Sequence, residues 1–283
     1  MIRLAVRVTR AHAPEVLAAL LVFSPAGVEE IDVDQDSVEY VLYGAAGALP
    51  NEAELRTGAG DVPISLATSE IADDWSERWR SFHQPVTLAD RLYVRPPWHP
   101  PLEHADELID LVIEPAQAFG TGAHATTRLC LQLLVELEQA GEAHGALLDL
   151  GCGSGVLAIA AAKLGWSPVV ALDHEVESVQ ATADNAGANG VRIDVQHADL
   201  LHDDLPNAPT IVANLLRPLL LELSARLAPP VPRWLLASGL LIDQGEEIAA
   251  AFGARHELHE QRRLIDGDWV ALLLAAADRR VSS

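Results

Sequence analysis

No apolar run in the chain approaches the roughly 20 residues that span a bilayer. Arginines interrupt the opening Met1-Ile-Arg-Leu-Ala-Val-Arg-Val-Thr-Arg10, so neither a membrane span nor a signal-peptide core is expected. Cysteine is scarce. Cys130 and Cys152 are the whole complement, in no metal-ligand spacing. Two cysteines make no disulfide framework, no metal site is expected, and a reducing compartment, the cytoplasm, fits best. Positive charge is also short: 19 basic residues face 41 acidic ones, a formal net charge of −22, and Lys163 is the single lysine. Phosphate contacts need clustered Lys and Arg, so direct binding to nucleic acid or an anionic membrane is disfavoured. A basic partner suits this charge, as does a plain solvated surface. Aromatics make up 5% of the residues and hydrophobics 49%, so the core must be built from Ala, Val, Leu and Ile.

What is present is enough chain, 283 residues, for one large or two modest domains. Residues 2–9 alternate, with Ile2, Leu4, Val6 and Val8 on one side, as in a half-buried strand. A helix over 14–23, strands over 28–33 and 38–43, a short helix near 50–56 and a strand over 63–67 follow. That order, β-α-β-β-α-β, predicts a ferredoxin-like α+β domain over 1–68. A helix over 70–82 places Trp75, Trp79 and Phe82 on one face, either as an aromatic platform or as an ordinary core stripe. Pro96, Pro97, Pro100 and Pro101 mark a rigid loop, so 69–104 reads as a linker helix and a Pro-rich connection. From 105 to 283, strands and helices alternate and a final hairpin turns near Asp266-Gly267. The expected fold is α/β, a doubly wound, mostly parallel Rossmann-like sheet covered on both faces.

Within that pattern, a buried strand runs into Asp149-Leu-Gly151-Cys-Gly153-Ser-Gly155 and then into an apolar helix. Glycines at such a turn allow positive φ and close approach of backbone to a ligand. A dinucleotide site uses G-x-G-x-x-G with pyrophosphate at the helix N-terminus. Here the spacing is G-x-G-x-G, and Asp149 two residues upstream would repel a phosphate. S-adenosylmethionine carries no phosphate and is cationic, so it suits this loop better. Asp173 ends the next strand, where a carboxylate accepts hydrogen bonds from ribose hydroxyls. Asn214 follows another apolar strand, as a site residue at the sheet's carboxyl edge or as a helix cap before Pro218. It is not followed by Pro-Pro-Tyr, the pattern associated with methylation of planar amides and adenine amines, which argues for aliphatic amines if the chain transfers methyl groups. Asp199 is open to two readings, an adenine contact or a turn cap.

Upstream lies Phe119-Gly-Thr-Gly-Ala-His-Ala-Thr-Thr127, then Leu129-Cys-Leu131. By composition alone, Thr126 or Thr127 reads as a helix cap, and His124 as a surface histidine or a general base. Together with the glycine loop, Asp184-Asn185 before Asn189-Gly190, Val212-Ala-Asn214-Leu-Leu and Ala237-Ser-Gly239-Leu-Leu241, this segment resembles the signature of the PrmA family, the bacterial methyltransferases of ribosomal protein L11. Asp74-Trp75, Trp79 and Arg95-Pro-Pro-Trp98 are similar to that family's linker. The resemblance covers nearly the whole chain and is weakest in 1–70. It implies an S-adenosylmethionine-dependent protein methyltransferase whose small domain recognises the basic ribosomal protein and whose large domain methylates lysine or α-amino groups. It also implies that Thr127, Gly151, Asp173 and Asn214 contact the cofactor, with Asn214 nearest the chemistry; Asp149, Gly153 and Gly155 complete the expected set. Ala123-His-Ala125 and Asn214-Leu-Leu216 stand where the family usually has Thr-His-Pro and Asn-Ile-Leu.

Overall fold

The computed structural model describes residues 2–23, 28–34, 36–44, 49–51, 54–55, 62–70, 83–102, 108–115 and 124–276. The chain divides into two compact units, 1–82 with 117–119, and 83–116 with 120–283. The expected Trp75–Trp79–Phe82 stripe and the Phe119–Ala123 part of the upstream motif lie outside the described residues.

In the first unit, β1 (Ile2–Thr9), α1 (Ala13–Phe23), β2 (Glu29–Asp32), β3 (Ser37–Gly44) and β4 (Ser65–Glu70) follow the expected order. The sheet order is β2-β3-β1-β4. β1 runs antiparallel to both neighbours, pairing Val6 with Tyr40 and with Leu66. This is the ferredoxin-like arrangement. Period-2 alternation sends Leu4, Val6 and Val8 to one face, where they bury against Val16 and Leu20 of α1. Where the sequence predicts a short helix near 50–56, Glu54 N–H donates to Asn51 Oδ1 at 3.0 Å and Asn51 N–H to Glu54 Oε2 at 2.8 Å. That reciprocal pair is a capping box.

The second unit begins earlier than the sequence suggests. Residues expected in a connection form β5 (Val86–Leu88) and β6 (Leu92–Arg95). With β7 (Ile109–Val112) they make a three-stranded sheet. Leu92, Val94 and Leu111 are buried against the main core, a role that proline-rich flanks conceal. Arg95, nearly buried, grips Asp110 through two bonds of 2.8 and 2.7 Å and donates to His99 O at 2.6 Å. The family-like Arg95-Pro-Pro-Trp98 run is therefore a pinned turn.

The main sheet follows: α2 (Ala125–Gln139), β8 (Leu147–Leu150), α3 (Val156–Leu164), β9 (Val169–Asp173), α4 (Val176–Ala188), β10 (Asp194–His197), β11 (Thr210–Asn214), α5 (Arg217–Arg226), β12 (Trp234–Leu241), α6 (Gly245–His256), β13 (Leu258–Asp266) and β14 (Trp269–Ala276). The strand order is β10-β9-β8-β11-β12-β14-β13. The first five are parallel, and β14 inserts antiparallel between β12 and β13. Alternate residues face opposite cores. Trp234, Leu236 and Leu273 pack with α2 and α3 on one side, and Leu235, Ala237 and Leu272 with α5 and α6 on the other. After α4, Gly190 N–H donates to Gly187 O and Val191 N–H to Ala186 O, a Schellman end, so β10 begins only at Asp194. β12 runs to Leu241 through a bulge between Ala237 and Leu240, of the kind found beside functional sites.

Candidate cofactor site

Neighbouring β8 and β11 send their crossovers to opposite sides, toward β9 and toward β12. The carboxyl ends of the strands at such a switch point frame the ligand crevice of open α/β sheets. The predicted residues gather there. Gly151 follows β8 directly, Asp173 ends β9 and Asn214 ends β11.

Gly151, Gly153 and Gly155 all have left-handed φ, at 72°, 54° and 80°. Steric room matters as much as φ. A Cβ on Gly151 would come within 2.5 Å of the Leu215 side chain, and one on Gly155 within 2.7 Å of Thr182. The loop turns back on itself through Gly155 N–H to Cys152 O at 2.8 Å, and is tied to β9 by Gly151 N–H to Leu172 O at 2.8 Å. Asp173, only 7% exposed, receives Gly153 N–H at Oδ2 (2.9 Å) and Glu175 N–H at Oδ1 (3.0 Å). His174 Nδ1 also lies 3.5 Å from Oδ1, and Oδ2 keeps a second lone pair.

Asp149 lies inside β8 and is fully buried, deeper than a reading of it as a residue beside the loop suggests. Its Oδ2 accepts from Ala158 N–H at 3.1 Å, while Oδ1 has no partner. Burial above all pushes its carboxyl up to about 7, and the charge of Asp173 adds to this. Two more buried oxygens lack partners, Thr127 Oγ1 in the first turn of α2 and Asn214 Oδ1. The three elements are joined. Ser238 pairs with Asn214 in the sheet and donates its hydroxyl to Thr126 O at 3.3 Å. One turn along α2, burial pushes the Cys130 thiol up to about 12; a bond with Ser238 opposes this and the charge of Asp149 adds to it. The start of α2 is thus held against β12, beside the end of β11.

The cap of α2 is His124, not a threonine hydroxyl. Its ring Nδ1 accepts from Thr126 N–H at 3.3 Å and lies 2.8 Å from the Thr126 hydroxyl. Its ring meets Trp269 edge-on at 4.8 Å. Burial, and then the nearby Arg128, lower its pKa to about 4, against the pull of Asp266. A neutral imidazole in this place is an acceptor, which is what an N-cap requires. With that work assigned to His124, the Thr127 hydroxyl is left for other partners. Asp199 takes the turn-cap reading, accepting from Leu201 N–H at 2.8 Å and bonding His202 at 2.7 Å. Both cysteines are buried and unpaired. Among the described residues no cluster of metal-ligating side chains occurs, and no helix is long and apolar enough to cross a membrane.

The unpaired atoms distinguish between ligands. A carboxylate oxygen, an amide carbonyl and a hydroxyl are all able to accept, so they match a ligand rich in donors and positive charge. They do not match the phosphates of a dinucleotide. The strand order, the antiparallel β14 and the glycine turn with its unpaired acceptors at the carboxyl ends of the strands together define a Rossmann-like methyltransferase fold.

Comparison with known proteins narrows this class to a family. Residues 5–277 match the model of the ribosomal protein L11 methyltransferases (PrmA). The ribosomal protein L11 methyltransferase of Pseudomonas putida (strain W619) is 41% identical over 208 residues, 72% of this chain and 69% of the relative. That of Pseudomonas aeruginosa (strain LESB58) is 41% identical over 216 residues, 75% of this chain and 71% of the relative. The crystal structure of the ribosomal protein L11 methylase from Lactobacillus delbrueckii subsp. bulgaricus superposes with a TM-score of 0.62 at 30% identity, over 69% of this chain and 99% of that one. The chain belongs to the ribosomal protein L11 methyltransferase family.

Proposed function

We propose that this protein transfers methyl groups from S-adenosylmethionine to lysine side-chain or α-amino groups of ribosomal protein L11. Three buried oxygens without partners, Thr127 Oγ1, Asp149 Oδ1 and Asn214 Oδ1, carry this reading. An unsatisfied buried acceptor is costly in a finished core and reasonable where a ligand will supply donors. S-adenosylmethionine, when bound, supplies a methyl group already activated on a cationic sulfur. Asp149 would balance positive charge on it, Thr127 would bond its polar edge, and the remaining lone pairs of Asp173 would take ribose hydroxyls. The three left-handed glycines would let backbone approach closely.

The chain's own task is then alignment and exclusion of water, and alignment alone lowers such barriers by roughly 7–11 kcal/mol. Asn214 Oδ1 is suited to accept an N–H from the acceptor amine and so aim its lone pair. That amine must be neutral, whereas free lysine has a pKa of about 10.4 and an α-amino group one of about 8. Removal from water favours the neutral form. The net charge of −22 would draw a basic ribosomal protein to the enzyme.

The test is transfer of label from radioactive S-adenosylmethionine to purified ribosomal protein L11, with peptide mass spectrometry to find the sites. Label on lysine or α-amino nitrogen is expected. No transfer despite cofactor binding would eliminate this acceptor, and no binding of S-adenosylhomocysteine would eliminate the chemistry.

A further inference from the structure

One motif of the sequence has no part in that chemistry, the Asp184-Asn185 and Asn189-Gly190 pair on α4. Ser178, Thr182, Asn185 and Asn189 stand at i, i+4, i+7 and i+11 and so share one helix face. Ser178, Thr182 and Asn185 are buried, the last at 3% exposure. A polar stripe turned inward is costly unless every group is paired. Most partners of the last three are backbone groups from two other segments; Thr182 Oγ1 also lies 3.2 Å from Cys152 Sγ, and Asn189 Nδ2 also donates to Asn185 O of its own helix at 2.8 Å. Thr182 donates its hydroxyl to Gly153 O at 2.9 Å. Asn185 Nδ2 donates to Ser154 O at 2.9 Å, while Asn185 Oδ1 accepts from Glu114 N–H at 2.9 Å. Asn189 Oδ1 accepts from Val112 N–H at 2.9 Å and its Nδ2 donates to Val112 O at 2.6 Å.

Asn189 thus gives Val112 both bonds that a neighbouring strand would give it. Asn185 alone touches both segments. Its donor holds the glycine loop, and its acceptor holds the chain where it leaves β7, ten residues before His124 and α2. The loop needs this outside support. Three left-handed glycines allow many conformations, and the peptide plane links the direction of each carbonyl to that of the next N–H. Drawing the Gly153 and Ser154 carbonyls toward α4 therefore selects one loop conformation.

We propose that Asn185 is a positioning residue, whose amide fixes the glycine loop in its ligand-ready conformation and couples it to the segment after β7. The proposal rests on the methyltransferase reading above, with one arm of its test independent of it. The full-length protein would be compared with Asn185→Asp, Asn185→Ala and Asn189→Ala. The aspartate keeps the acceptor toward Glu114 N–H but turns a second acceptor toward the Ser154 carbonyl. Calorimetry with S-adenosylhomocysteine, steady-state kinetics with ribosomal protein L11, and amide hydrogen exchange would be measured on each.

For Asn185→Asp and Asn185→Ala, we expect about tenfold weaker S-adenosylhomocysteine binding, a similar rise in KM for S-adenosylmethionine, kcat within about twofold, and faster exchange across 151–155. Asn189→Ala should speed exchange at Val112 and leave the loop and the affinity unchanged. A folded Asn185→Asp with wild-type affinity and wild-type loop exchange would overturn the proposal. So would equal loop exchange in the Asn185 and Asn189 variants. If Asn185→Ala does not fold, Asn185→Asp decides alone. If the wild-type protein binds no S-adenosylhomocysteine, the functional reading falls, and the exchange contrast still decides the coupling.

Discussion

The two edges of the seven-stranded sheet treat buried polar groups in opposite ways. At the amino edge, side chains satisfy one another. Trp166 Nε1–H donates to Thr210 Oγ1 at 3.3 Å, and Trp234 Nε1–H to Glu142 Oε2 at 3.2 Å. Glu142 also holds Arg233 through Nη2, although the Arg233 Nε is left without a partner. A cleft of about 310 Å³ at that edge has largely proline and aliphatic walls, Pro209, Pro230, Val231 and Pro232 among them. At the carboxyl edge, Asp149, Thr127 and Asn214 each present an unpaired acceptor. Most buried polar groups named at the amino edge are spent on folding, and three acceptors at the carboxyl edge are not, as expected where function needs groups that folding has not consumed.

Substitutions should separate the two edges. The largest effect is expected for Asn214→Ala, which should lower kcat by about 100-fold or more. Its thermal midpoint should change little, because the carbonyl lost makes no bond in the folded chain. Near-normal turnover in label-transfer assays would remove Asn214 from the mechanism.

Asp149→Asn should weaken S-adenosylhomocysteine binding by about tenfold by calorimetry, through loss of the charge. It should also alter the pH dependence of stability. The Asp149 carboxyl is raised from 3.8 to about 7 on folding, so the native state holds the extra proton and stability falls as pH rises across that interval. His124 works the other way. Its pKa falls from 6.5 to about 4, so the unfolded state holds the extra proton and stability rises with pH between those values. The slopes oppose each other between about pH 4 and 6.5. Urea unfolding of Asp149→Asn should then show stability rising with pH over that window more steeply than in the wild type. An unchanged profile would mean that Asp149 titrates normally.

Thr210→Val, at the amino edge, leaves the buried Trp166 N–H without its acceptor and should cost about 1–2 kcal/mol with kcat unchanged. If instead it lowers turnover as Asn214→Ala does, the contrast between the edges fails. The smallest effect is expected for His124→Ala, about 1 kcal/mol for a lost N-cap. His124→Asn should restore most of that stability in thermal melts, and failure to do so would show that the ring acts by other means than capping.

Much of this was legible in the residues themselves. Alternation in 2–9 and the order of elements through 68 pointed to the ferredoxin-like unit, and Asp149 with its three glycines pointed to a cofactor loop before any strand order was known. Other features depend on partners far apart in sequence. β5 and β6 were hidden among prolines because what makes them strands is packing of Leu92 and Val94 against a distant core. The bulge in β12 and the cap by His124 likewise require neighbours that local pattern does not reveal. Asn185 and Asn189 were visible as a family motif, but their bonds to Val112, Glu114 and Ser154 span at least 31 residues.

By itself, then, the sequence determined most of the elements and the fold class and pointed to the residues of the candidate site, because periodicity and glycine placement act over a few neighbours. Tertiary structure decided which polar atoms are spent on folding and which are left for a ligand. Only close packing brings Ala158 to one oxygen of Asp149 and leaves the other without a donor.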